Sequence, residues 1–307
     1  MNDRNRTVIV GTGALACLYA ARLAPHTAIT MLGTWQEGLE VIRESGVRLM
    51  SPDGPGAPVH VHTTSDPSEC EGVSKVLILV KSWQTERAAR QVASFLPEEG
   101  LALTLQNGLG NFELLGDLLG YDRVTQGVTT MGATLEAPGS VRAGGEGLTH
   151  IAHHPKIDRW VELFTQAGIK VDVTENVEEL VWGKLTINAG INPLTALLEV
   201  PNGELIKSQA ATALMHAAAQ EAANVAGALD IGLPFTNPAR AIDEVAKSTA
   251  ANISSMLQDI RRGAPTEIDA ISGAIWKEGE RLGVPVPISW TLWQLVRAKG
   301  EGRGLEA

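Results

Sequence analysis

Residues 7–23 constrain the fold more than any other stretch. Thr7-Val-Ile-Val10 is a short, fully apolar and β-branched run, as expected of a strand buried in a parallel sheet. Gly11-Thr12-Gly13-Ala14-Leu15-Ala16 follows at once, and an alanine-rich helical stretch continues to about Leu23. In a strand–turn–helix of this kind Gly11 permits the tight turn and Gly13 lets backbone approach a diphosphate. Ala16 takes the third position, where a small residue packs helix on strand. The free N–H groups and dipole at the helix start favour negative charge there. All six residues, Gly11 to Ala16, are therefore candidate dinucleotide contacts.

A chain that opens this way is expected to continue as a doubly wound sheet. Ala28–Leu32, Lys75–Val80 and Leu101–Leu105 read as further strands, and each ends in polar residues. In an open parallel sheet ligands lie at the carboxyl ends of strands, which directs Lys81 and Asn107 toward the cofactor crevice. Asn107-Gly108 is also a turn dipeptide in its own right, so a purely structural role stays open. From Gly127 to Ile151 the text is β-prone and glycine-rich, and antiparallel strands extending the same sheet are expected. The second strand ends in Gly33-Thr34-Trp35, with its first acid only at Glu37. A carboxylate at that end would bind ribose hydroxyls and repel a 2′-phosphate; its absence leans toward NADP, with Thr34 as the candidate contact.

Composition narrows the partners. The 307 residues exceed what one core usually holds, which predicts two domains. A net charge of −10 argues against nucleic acid or an anionic membrane. No apolar stretch has the length of a membrane span. Asp3 and two glycines interrupt the N-terminal run that faintly resembles a lipoprotein leader. Cys17 and Cys70 form neither a metal-ligand spacing nor a disulfide framework and read as inert thiols. His150, His153 and His154 cluster without a completing cysteine or carboxylate set, so surface histidines and no metal are expected. A cytoplasmic protein follows, with a homodimer as one assembly open to it.

After Lys170–Val173 the strand signal stops. Helices are expected at about 177–198, 203–229, 239–251, 266–282 and 289–298. Within the first, Lys184, Asn188 and Asn192 recur every four residues and stack along one face. One cation and two carboxamides in a row suit a small oxyacid; a satisfied polar stripe at a domain or subunit contact is the competing reading. Pro193 should kink this helix. Thr266-Glu267 reads either as a helix start, with Thr266 capping and Glu267 on the positive end, or as part of a site.

Taken together, the chain resembles the ketopantoate reductase (2-dehydropantoate 2-reductase) family. The matching text is GTGALA at 11–16, LVKSWQT at 79–85, LQNGLG at 105–110, WGKLTINAGINPLTAL at 182–197, PNGEL at 201–205 and NISSMLQDIRRGAPTEID at 252–269. The resemblance implies an α/β Rossmann-type dinucleotide-binding domain, 1–174, followed by an all-α domain, 175–307, like the C-terminal domain of 6-phosphogluconate dehydrogenase. It implies NADPH-dependent reduction of ketopantoate, a small 2-oxo acid, on the route to pantothenate and coenzyme A. Lys184 matches the family's general acid, and Glu267 matches the acid that engages the substrate's hydroxyl end. Asn188, Asn192, Asn202, Asn252 and Ser255 match substrate-binding positions, and Lys81 and Asn107 match the lining of the cofactor and active-site crevice. Thr34 stands where the family commonly has an arginine for the 2′-phosphate. Reduction of a different 2-oxo acid, or NADP sensing without catalysis, remains an alternative.

Overall fold

The computed structural model describes residues 6–51, 54–302 and 304. The chain forms two compact units. The first comprises residues up to Gln106 together with Asn111–Val177, and the second Asn107–Gly110 together with the chain from Glu178 onward.

In the first unit twelve strands are described: β1 (Arg6–Val10), β2 (Ala28–Leu32), β3 (Arg48–Ser51), β4 (Gly54–Pro55), β5 (His62–Thr64), β6 (Lys75–Ile78), β7 (Leu101–Thr104), β8 (Val124–Thr129), β9 (Ala133–Ala137), β10 (Ser140–Ala143), β11 (Leu148–Ala152) and β12 (Lys170–Thr174). Five helices accompany them: α1 (Ala14–Leu23), α2 (Gln36–Ser45), α3 (Thr85–Ala93), α4 (Asn111–Leu119) and α5 (Asp158–Gln166). The large sheet has the order β12-β11-β8-β7-β6-β1-β2-β5. Strands β5, β2, β1, β6, β7 and β8 are mutually parallel and lie in the order of a doubly wound dinucleotide fold, whose switch point falls between β1 and β6. Residue alternation explains why both faces need helices. Ile9, Leu77, Leu101 and Leu103 join α1 and the Trp160–Phe164 part of α5 in one core. Val8, Val10, Val76, Ile78 and Ala102 turn the other way, onto Ala88, Ala89 and Val92 of α3 and Leu115 and Leu119 of α4.

The glycine-rich stretch after β8 departs from its expectation in part. β11 does extend the large sheet, antiparallel to β8. β9 and β10 form a hairpin that joins β3 and β4 in a separate four-stranded sheet. Alternation cannot say which sheet a hairpin joins, because both offer an apolar face.

The second unit is helical: α6 (Val177–Leu198, whose first residue belongs to the first unit), α7 (Gln209–Ala228), α8 (Pro238–Ser248), α9 (Ser255–Arg262), α10 (Ser272–Leu282) and α11 (Pro287–Glu301). Helix α6 runs through Pro193 without interruption. Two boundaries differ from the sequence reading. Residues Asn202–Lys207 form a 3-10 turn, and α7 starts only at Gln209, capped by Ser208. The expected helix at 266–282 begins at Ser272, which removes the reading of Thr266 as its cap. Trp182, Leu185, Ala189 and Ala196 of α6 face one core, and Ile191 and Leu194 a second, so α6 is packed from two sides.

One buried charge fixes the last helix. Glu221 on α7 accepts hydrogen bonds from the backbone N–H groups of Ile288 (2.8 Å) and Ser289 (2.7 Å) in the first turn of α11. Replacing Glu221 with alanine removes the acceptor of two backbone N–H groups and the favourable charge at a helix start, an expected loss of about 2–4 kcal/mol. Denaturant unfolding measures it; a midpoint equal to that of the unaltered protein would contradict the capping role.

Candidate active site

The glycine turn fits the diphosphate of a dinucleotide. Gly11 has φ +129°, and a Cβ there would lie 3.0 Å from the Leu79 carbonyl oxygen, so this position requires glycine for both conformation and space. Gly13 is the N-cap of α1 and contributes no side-chain cap, and the first turn of α1 carries no acid. A Cβ on Gly13 would meet no protein atom within 4 Å. Internal packing therefore does not demand a glycine at 13; an uncapped helix start with open space in front suits a diphosphate. Thr12 is buried, and its methyl would lie 2.8 Å from a Cβ on Gly33. Ala14 and Leu15 are half-buried and Ala16 is fully buried against the sheet. Thr34 is exposed after the end of β2. Trp35 lays its indole over Gly38, where a Cβ would be only 2.2 Å from Cε3. Lys81 is half-buried and starts a 3-10 turn, Ser82–Gln84, at the end of β6.

Lys184, Asn188 and Asn192 lie on α6 in the sector between the two cores. At 100° per residue they span an arc of roughly 80°. Asn192 is buried, while Lys184 and Asn188 are half-buried. Surrounding protein desolvates the Lys184 ammonium and pulls its pKa down to about 8, with the Glu267 carboxylate opposing the shift. Glu267 is 5% exposed and lies in the turn before α10, where its carbonyl accepts from the N–H groups of Ala270 and Ile271. This buried carboxylate lies ahead of the helix rather than in its first turn, so it does not cap α10. Asn107 Nδ2 donates to Glu267 Oε2 at 3.4 Å. Structure thus brings Lys184, Glu267 and Asn107 together.

Asn107 reaches this place because its segment packs with the helical unit. Leu109 N–H donates to the Ala270 carbonyl at 2.9 Å. Gly108 has φ +83°, and a Cβ there would fall 2.5 Å from the same oxygen. The Asn-Gly pair lies in a bend that sets Asn107 against the Glu267 segment. Gly108→Ala should cost about 1–3 kcal/mol of backbone strain, force the two segments apart and lower kcat/KM at least tenfold. Steady-state kinetics on the folded variant checks this; unchanged kcat/KM would show that the close approach is incidental.

The remaining residues are more dispersed. Asn202 is buried, and its Nδ2 donates to Thr249 Oγ1 at 2.9 Å; its N–H donates to the Asn252 carbonyl at 3.0 Å. Asn252 itself is exposed. Ser255 opens α9, but the cap is the preceding Ser254, whose Oγ accepts from Leu257 N–H and from Thr195 Oγ1 (2.7 Å) on α6. Ser254 ties α9 to the helix bearing the polar row, a link that no spacing rule exposes. Burial drives the thiols of Cys17 and Cys70 up to about 12 and about 11, in keeping with inert groups. Among the described residues no helix is long and apolar enough to cross a membrane, and no group of three or more His, Cys, Asp or Glu could hold a metal.

The doubly wound sheet and its open, uncapped glycine turn set the class, a dinucleotide-binding fold. Residues 7–156 match the family described as ketopantoate reductase PanE/ApbA, and residues 176–300 match its C-terminal part. The chain belongs to the ketopantoate reductase family. It is 36% identical to a 2-dehydropantoate 2-reductase of Halobacterium salinarum over 298 residues, covering 95% of this chain and 98% of that one. The crystal structure of a PanE/ApbA family ketopantoate reductase from Ralstonia eutropha superposes with TM-score 0.90 at 32% identity, over 97% of this chain and 99% of that one. The fold is also that of a D-mandelate dehydrogenase solved with NADH and anilino(oxo)acetate, with TM-score 0.89 at 24% identity over 98% of this chain and 100% of that one.

Proposed function

We propose that this protein reduces the C2 carbonyl of 2-dehydropantoate to (R)-pantoate with NADPH, in the cytoplasmic route to pantothenate and coenzyme A. A bound reduced nicotinamide supplies the hydride. As the carbonyl carbon accepts it, negative charge builds on the oxygen, and Lys184 stabilises that charge and then delivers a proton to the oxygen. A lysine of ordinary pKa is a poor acid near neutrality; the observation that carries this reading is the desolvated Lys184, whose pKa of about 8 brings the proton within reach. Glu267 keeps the ammonium from losing its proton too early and accepts a hydrogen bond from the substrate's 4-hydroxyl. Asn107 orients Glu267. Asn188, Asn192, Asn202, Asn252 and Ser255 are assigned to the oxyacid, because amides and hydroxyls bind carboxylate and hydroxyl without adding charge.

For the cofactor, Gly11 to Ala16 take the diphosphate and Lys81 lines the crevice. Support for NADPH comes from the end of β2, where Gly33-Thr34-Trp35 holds no carboxylate to repel a 2′-phosphate. The test is NADPH and NADH oxidation by the pure protein against a panel of 2-oxo acids. Activity confined to 2-dehydropantoate, faster with NADPH, is expected. Turnover of another acid alone would reassign the substrate, faster turnover with NADH the cofactor. Dinucleotide binding without turnover of any acid would point to sensing.

A further inference from the structure

We propose that Gln106 is a positioning residue that sets the cofactor loop after β6, and thereby the affinity for the dinucleotide. The proposal rests on the dinucleotide reading and adds to it a residue outside the presumed contacts. The ladder between β6 and β7 ends at the pair Ile78 and Thr104. Two residues further on, Val80 and Gln106 stand opposite each other, and the side chain of Gln106 continues the ladder where the backbone stops. Its Nε2 donates to the Val80 carbonyl (2.9 Å) and to Thr85 Oγ1 (2.8 Å), so both amide hydrogens are used. Its Oε1 accepts from Thr104 Oγ1 at 2.9 Å. Thr85, having accepted, donates to Asn111 Oδ1 at 2.8 Å.

These bonds run in one direction, from Thr104 through Gln106 and Thr85 to Asn111. Thr85, Thr104 and Asn111 are buried, where an unmade hydrogen bond is costly. What the network holds matters for the ligand. Val80 immediately precedes Lys81, and a Cβ on Gly11 would lie 3.0 Å from the Leu79 oxygen and 3.3 Å from the Val80 nitrogen. Gln106 therefore grips the Val80–Lys81 peptide, next along the chain from the Leu79–Val80 peptide against which the glycine turn closes, at the switch point of the sheet. Thr85 and Asn111 begin α3 and α4, the helices that follow the two strands. One carboxamide fixes the strand end, both helix starts and the loop bearing Lys81.

The test is titration of NADPH with the full-length protein, followed by nicotinamide fluorescence, beside thermal unfolding of each variant. Gln106→Leu should weaken NADPH binding by about tenfold, the consequence of a misplaced loop contact, while kcat at saturating cofactor changes less. Gln106→Glu gives a signature that loss of packing would not. Its carboxylate can accept from Thr104 but cannot donate to Val80; protonated, it regains one donor. NADPH affinity of Gln106→Glu should therefore recover as the pH is lowered from about 8 to about 6, relative to the unaltered protein, because a poorly solvated carboxyl holds its proton longer. If Gln106→Leu does not fold, Thr104→Val, which removes one donor, should weaken binding in the same sense. Folded variants that bind NADPH within twofold of the unaltered protein, with no pH-dependent recovery, would overturn the proposal. Unaltered protein that binds neither NADPH nor NADH would overturn the functional reading itself.

Discussion

Lys184→Ala should lower kcat by about 10²–10⁴-fold, the range a positioned general acid contributes, while KM for the oxo acid moves far less. The asymmetry follows from when the lysine acts. In the ground state the carbonyl carries little charge, and the proposed partners of the substrate's carboxylate and hydroxyl are the asparagines and Glu267. Only as hydride arrives does the oxygen need a cation and then a proton, so the interaction belongs to the transition state. Lys184→Arg would keep the charge but hold its proton too tightly, and should recover little of the rate. Steady-state kinetics with 2-dehydropantoate decides the matter. Near-normal kcat in Lys184→Ala would remove the general-acid role; a large rise in KM with kcat intact would make Lys184 a substrate anchor instead.

Glu267→Gln should have the second largest effect, and on two separate observables. The carboxylate raises the pKa of Lys184 against the pull of burial. Removing its charge lets burial win, so the limb of the pH–rate profile that reports loss of the lysine's proton should move to lower pH. At neutral pH a smaller share of the enzyme then carries the proton, and kcat/KM falls. Specificity should change as well. Comparing 2-dehydropantoate with an analogue lacking the 4-hydroxyl, the variant should lose more toward the hydroxylated substrate. A limb that stays in place, or equal losses toward both substrates, would detach Glu267 from these roles.

Much of this was legible in the chain. The fully apolar, β-branched run of β1 and the glycine turn after it announce a doubly wound sheet, and six parallel strands in that order follow. The four-residue spacing of Lys184, Asn188 and Asn192 survives intact on α6, because a helix fixes its own faces before any packing is known. Other features depend on distant partners. Asn107 and Glu267 are 160 residues apart, and nothing local distinguishes Asn107-Gly108 from an ordinary turn until Gly108 is seen against Ala270. The helix expected from Thr266 starts six residues later: its apolar periodicity is genuine, but Glu267 and Ile268 are spent in a tight preceding turn. Gln106 carried no signal of its own, since its importance lies in a register that only paired strands reveal.

The pH dependence of kcat/KM for 2-dehydropantoate, measured at saturating NADPH, tests the proton-donating lysine most directly. A profile that is level near neutrality and falls as the pH rises through about 8, where Lys184 gives up its proton, is the expected result. A profile that stays flat to about pH 10, the range of an ordinary lysine, would contradict it.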